Sequence, residues 1–107
     1  MMNETIRQNL AYLTEKYGEV YEAYTKYGRA VHQAGPLDRK TAALIKVAIS
    51  ASAKFDYALA THIKKAIDAG CSREEIEHVL LLTAPTVGFP NMMESMLVLR
   101  QLFGETD

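Results

Sequence analysis

The stretch KFDYALATHIKKAIDAG, residues 54–70, decides how the rest of the chain is read. Phe55, Ala58, Leu59, His62, Ile63, Ala66 and Ile67 recur at steps of three and four, the period of one face of an α-helix. Asp56, Lys64, Lys65 and Asp68 fall on the other side, and Gly70 is a natural stop because glycine tolerates the left-handed C-terminal cap. The pattern predicts an amphipathic helix with one imidazole on its buried face. His62 is then either a core histidine that hydrogen-bonds across a helix interface or a group that faces a ligand.

The same period recurs on both sides of this stretch, and no segment alternates apolar and polar residues for long, so the chain reads as all-α with about six helices. A first helix over about Glu4–Tyr17 carries Ile6, Leu10, Leu13 and Tyr17 on one side, and Gly18 is its expected stop. A second, from about Glu19 to Gln33, has an aromatic row: Val20, Tyr21, Tyr24, Tyr27 and Val31. Gly35-Pro36 breaks the chain, and Asp38 is placed to cap a third helix reaching about Ala53. That helix, LDRKTAALIKVAISASA, is apolar or small around most of its circumference after Thr41, which predicts burial on several sides. Lys46 is the one long charged side chain in its apolar part, either a lysine whose ammonium reaches solvent or an anchor for a carboxylate or an intersubunit ion pair.

After Gly70, Ser72 with Glu75 makes a capping box for a fifth helix with Ile76, Val79, Leu80 and Thr83 inward. The run APTVGFP, residues 84–90, should end or kink it. Asn91 with Glu94 opens a sixth helix, whose methionines Met92, Met93 and Met96 read as adaptable core or interface filler. The N-terminal pair, residues 4–34, and the later helices are read together as a single domain over 1–107.

Composition narrows the function classes. The chain has 107 residues, 23% of them charged, with a net charge of −1 and no block of Lys or Arg that would track a phosphate backbone, so no nucleic-acid partner is expected. No run approaches the ~18 apolar residues of a membrane span, and the polar stretch MMNETIRQNLAYLTEKYG lacks the apolar segment of a usual secretory signal. No membrane contact is expected, and a cytoplasmic location is. Cys71 is alone, so neither an intrachain disulfide nor a cysteine-rich metal site can be built, and no metal is expected. His78 stands four residues after Glu74 as a surface pair, and His32 lies near the end of the second helix, where a cation suits the helix dipole.

Four features, in this order, carry a family resemblance: the LDRKTAALIKVAIS helix, the histidine helix ending THIKKAIDAG, the CSREEIEHVLL cap and helix, and the VGFPN turn. From about Leu37 to Phe103 the chain resembles the carboxymuconolactone decarboxylase family, which includes the alkylhydroperoxidase D-like proteins. The resemblance implies an alkylhydroperoxidase D-like helical domain, no cofactor, and assembly into a homo-oligomer, a trimer or hexamer. The peroxidase branch is marked by a glutamate followed, well downstream, by Cys-x-x-Cys-x-x-x-His. Laid on this sequence, the histidine falls on His62, the two cysteines on Phe55 and Ala58, and the glutamate on Ala43. Peroxide reduction needs one thiolate to attack oxygen and a second thiol to resolve the sulfenic acid, which Phe55 and Ala58 do not supply. Cys71 is a poor substitute, placed beyond Gly70 and off the His62 row.

The decarboxylase branch works without the cysteine pair and has a histidine where His62 stands. What the resemblance implies there is a lyase: a cofactor-free decarboxylase acting on a small carboxylated lactone, with His62 as proton donor and Lys46 a candidate to bind the carboxylate. A histidine titrating near neutrality suits protonation of the carbanion left by loss of carbon dioxide. The competing expectation is a non-catalytic small-molecule-binding or assembly module of the same fold. An alkylhydroperoxidase is the third and least favoured reading.

Overall fold

The computed structural model describes residues 2–106, and among them there are six α-helices. They are α1 (Met2–Lys16), α2 (Gly18–Gln33), α3 (Arg39–Ser52), α4 (Asp56–Asp68), α5 (Arg73–Val87) and α6 (Phe89–Leu102). The all-α reading and the element count hold. The helices fall into two compact units that divide between Asp38 and Arg39.

The first unit is the α1–α2 pair. The break between them is at Tyr17, not at Gly18. Tyr17 donates its N–H to the Leu13 carbonyl at 2.7 Å, completing α1, while its own carbonyl accepts from Val20 and Tyr21 at 3.1 and 3.2 Å, starting α2. Gly18 is therefore the first residue of α2 instead of a stop. No residue of α2 is buried: Tyr21 is half-covered, whereas Val20, Tyr24, Tyr27 and Val31 are exposed.

The second unit contains α3 to α6 and the main core. Leu59, Ile63, Ile76, Leu80, Leu99 and Val47 are its largest fully buried side chains, and burying each stabilises the fold by about 1.5–3 kcal/mol. Helix α3 packs against α4, α5 and α6. It is less enclosed than its composition predicts: only Val47, Ser50 and Ala51 are buried, while Ile45 and Ile49 are exposed. The three buried residues are spaced at i, i+3 and i+4, so a single narrow stripe enters the core.

The α3–α4 connection is tight. Phe55 N–H reaches the Ser50 carbonyl at 3.1 Å and Lys54 N–H the Ala51 carbonyl at 3.3 Å. This is a C-terminal capping arrangement that places Lys54 at φ 60°, a conformation that favours glycine. Helix α4 ends in a related way, with Cys71 N–H on the Ala66 carbonyl at 2.9 Å and Gly70 N–H on Ile67 at 3.0 Å, Gly70 taking φ 98°. The capping box predicted for α5 is present: Glu75 N–H donates to Ser72 Oγ at 3.1 Å and Ser72 N–H to Glu75 Oε1 at 2.8 Å.

Helix α5 ends within the 84–90 run, as expected: it continues through Pro85 to Val87, and Gly88, at φ 110°, makes the break. Helix α6 then starts at Phe89 with Pro90 in its first turn, where a missing N–H costs nothing, and the Gly88 carbonyl accepts from Met92 N–H at 3.2 Å. Asn91 therefore does not open α6. Its side chain is buried and donates from Nδ2 to the Ala51 carbonyl at 3.1 Å, tying α6 to the end of α3. Glu94, one turn on, pairs with Lys54 of the same connection at 3.0 Å.

Candidate functional site

Helix α3 packs against α4, and the side on which the charge of Lys65 reaches Lys46 forms one edge of the pair. Lys46 lies six residues before Ser52 at the end of α3, and His62 six residues after Asp56 at the start of α4. With a rise of about 1.5 Å per residue each stands about 9 Å along its own helix from the connection. The buried arc of α4 is Leu59, Ala60, Ile63 and Ala66. It is rotated away from the row read from sequence, so that Phe55 is 62% exposed, Ile67 is also exposed, and Ala58 and His62 are half-buried on the shoulder of the arc. Phe55 precedes the first helical residue, at the N-cap of α4.

Ala58, His62 and Lys65 are spaced at i, i+4 and i+7 and share that shoulder. Lys65 marks where the shoulder faces. Partial burial pushes the Lys46 ammonium below the usual lysine range, and the positive charge of Lys65 pushes it further in the same direction. Half-buried Lys46 and exposed Lys65 therefore share this edge, and His62 is on the same shoulder of α4 as Lys65.

The other positions read from sequence distribute as follows. Ala43, half-buried, is one turn before Lys46 on α3, and Ala58 is one turn before His62 on α4. None of the side chains at Ala43, Phe55 and Ala58 can take part in redox chemistry. Cys71 is elsewhere, in the connection between α4 and α5. It is 5% exposed, and its Sγ lies 3.7 Å from the Lys40 carbonyl. His78 on α5 and His32 on α2 are both exposed. Among the described residues no three His, Cys, Asp or Glu side chains gather to hold a metal ion. No helix among them is long and apolar enough to cross a membrane.

Two surface grooves of about 340 Å³ each lie away from this edge. One runs between α3 and α5, lined by Leu44, Ile45, Ala48, Val79, Leu82 and Thr86 among others, and the other along α6 past Met93, Met96 and Leu97. The first was not anticipated, because a helix as uniformly apolar as α3 gives no sign of which side stays uncovered. Neither groove is lined by His62 or Lys46. What the hairpin edge can do is proton donation from an imidazole in a locally positive field that favours carboxylates.

Comparison with known proteins agrees with this architecture. The sequence pattern of the carboxymuconolactone decarboxylase family matches residues 18–101. An uncharacterized protein of Methanocaldococcus jannaschii is 32% identical over 104 residues, covering 95% of this chain and 100% of that protein. The crystal structure of the apo form of a carboxymuconolactone decarboxylase family protein from Legionella pneumophila superposes with a TM-score of 0.81 at 21% identity, over 99% of this chain and 95% of that one.

Proposed function

The chain belongs to the carboxymuconolactone decarboxylase family, and from that premise we propose that it is a cofactor-free lyase that decarboxylates a small carboxylated lactone, with His62 as proton donor. The observation that supports the reading is half-buried His62 on the same shoulder of α4 as Lys65, whose charge acts on Lys46 of α3. Loss of carbon dioxide breaks a carbon–carbon bond and leaves its electron pair on an enolate-like carbon. The imidazolium gives that carbon a proton, and the two lysines attract the carboxylate into place. The absence of a carboxylate at Ala43 and of thiols at Phe55 and Ala58 supports this branch over the peroxidase branch.

As part of the same proposal the protein acts in the cytoplasm as a homo-oligomer, a trimer or hexamer. The exposed Tyr24 and Tyr27 on α2 support this, since aromatic side chains left uncovered in a row are characteristic of interfaces. The second reading, a non-catalytic binding module, is favoured by the grooves lying away from His62.

Turnover of a panel of muconolactone-type acids separates the two. The lyase reading expects carbon dioxide release that falls by about 10²-fold or more in His62→Ala. Release undiminished in that variant, or none in the parent, favours the binding module.

A further inference from the structure

We propose that helix α2 of a second copy of this chain seats its aromatic row in the groove between α3 and α5, so that each chain gives one helix to a neighbour and receives one. The inference rests on the homo-oligomer of the proposed function and goes beyond it by naming the two surfaces that meet.

Helix α2 has one partly covered side and one bare side. Tyr21, Thr25 and Gly28, spaced at i, i+4 and i+7, are half-buried. Val20, Tyr24, Tyr27 and Val31, spaced at i, i+4, i+7 and i+11, are exposed by 50% or more. At 3.6 residues per turn, Glu19, Glu22, Lys26 and Arg29 fall away from this row, which is therefore uncharged along its length. No described side chain between residues 4 and 38 is buried. Helices of 15 and 16 residues draw most of their stability from packing an apolar face, so the bare row of α2 needs a surface to cover it.

The groove between α3 and α5 has the matching form. Thr41, Ile45, Ala48 and Ser52 of α3 line it at i, i+4, i+7 and i+11, the same steps as the row on α2, with Leu82 and Thr86 on the α5 side. From Val20 to Val31 and from Thr41 to Ser52 the rise is alike, about 16 Å. Lys40 pairs with Glu75 at 3.6 Å, so α3 and α5 start at the same end and the groove runs along both. No charged side chain lines it, whereas the groove along α6 includes Glu94 and Arg100, whose covering by an uncharged row would strip water from ions without replacing it. The hydroxyls of the α3–α5 groove also suit tyrosine. Thr83 and Thr86 donate their protons to the Leu80 and Leu82 carbonyls at 2.7 and 3.3 Å, which leaves their oxygens to accept from the O–H of Tyr24 and Tyr27.

The test mixes two populations of the full chain, one carrying Ala23→Cys beside the row and the other Ala48→Cys in the groove, by co-refolding in the presence of a short bismaleimide. Both sites lie near the middle of their surfaces, so they meet whichever way α2 runs. The expected product is a covalent heterodimer, formed several-fold more than with Glu22→Cys on the charged side of α2; the parent, whose Cys71 is buried, is the blank. A yield no higher than the Glu22→Cys control, in an oligomer of the parent's mass, overturns this proposal and leaves the assembly standing. A monomeric parent overturns both. Leu82→Glu, at an exposed groove position, should keep the helical circular dichroism and raise the concentration at which the oligomer dissociates by about tenfold or more. An unchanged dissociation in that variant would also sink the assignment.

Discussion

Asn91 joins parts of the chain that are far apart in sequence. Its amide reaches the Ala51 carbonyl, which also accepts from Lys54 N–H, so one buried oxygen closes the end of α3 and anchors the first turn of α6. Asn91→Leu keeps the branching at Cγ, is larger, and removes the donor. The expected cost is about 1–2 kcal/mol, read as a lowered midpoint in urea unfolding. A midpoint unchanged from the parent would show that the bond contributes nothing net. Local sequence could not assign this role. Asn near the start of a helix has the chemistry of a cap, and only the neighbouring Gly88-Phe89-Pro90 geometry, which begins the helix earlier, frees the side chain to turn inward. His62 is the converse case: the helix period located it to one side of α4 but could not distinguish the centre of the buried arc from its shoulder.

Elements whose ends are fixed by neighbouring residues were legible. The Ser72–Glu75 box, the stop at Gly70 and the existence of all six helices follow from interactions a few residues long. These ends also set a pH dependence. The Glu75 carboxylate is held below the usual range first by the Ser72 N–H and then by the charge of Lys40. Glu105 is held down by Arg73, which donates to both its carboxylate oxygens, and further by Arg100. Arg73 also bonds Glu77 at 2.6 Å and lies 4.7 Å from the Phe103 ring centre, so it connects the start of α5 to the chain beyond α6. A carboxyl held lower in the folded state contributes stability that is present above its ordinary value of about 4.5 and is lost as the pH falls through its folded value. Thermal unfolding should therefore occur at a steady temperature above pH 5 and at falling temperature below about 4.5. A Glu75→Gln, Glu105→Gln double variant should show a shallower acid limb. An acid limb as steep as the parent's would assign the effect to other carboxylates.

For the whole molecule, the uncovered apolar surface carries the prediction. Tyr24 and Tyr27 on α2 are 67% and 68% exposed, and Ile49 on α3 is 59% exposed, more than scattered surface residues require. Light scattering should give a mass that is a multiple of 11.9 kDa, and Tyr24→Glu with Tyr27→Glu should shift it toward the single chain. A monomeric parent would refute the assembly. By itself the sequence determined the helical class, the helix count and the caps at Ser72 and Gly70. Each depends on residue identity at a spacing of a few positions. Only the tertiary structure decided that α3 buries one narrow stripe, that Asn91 points into the core, and that Lys65 comes near enough to Lys46 to act on its charge. Those depend on how one helix is rotated against another, and a periodic pattern leaves that angle open until the partner helix is in place.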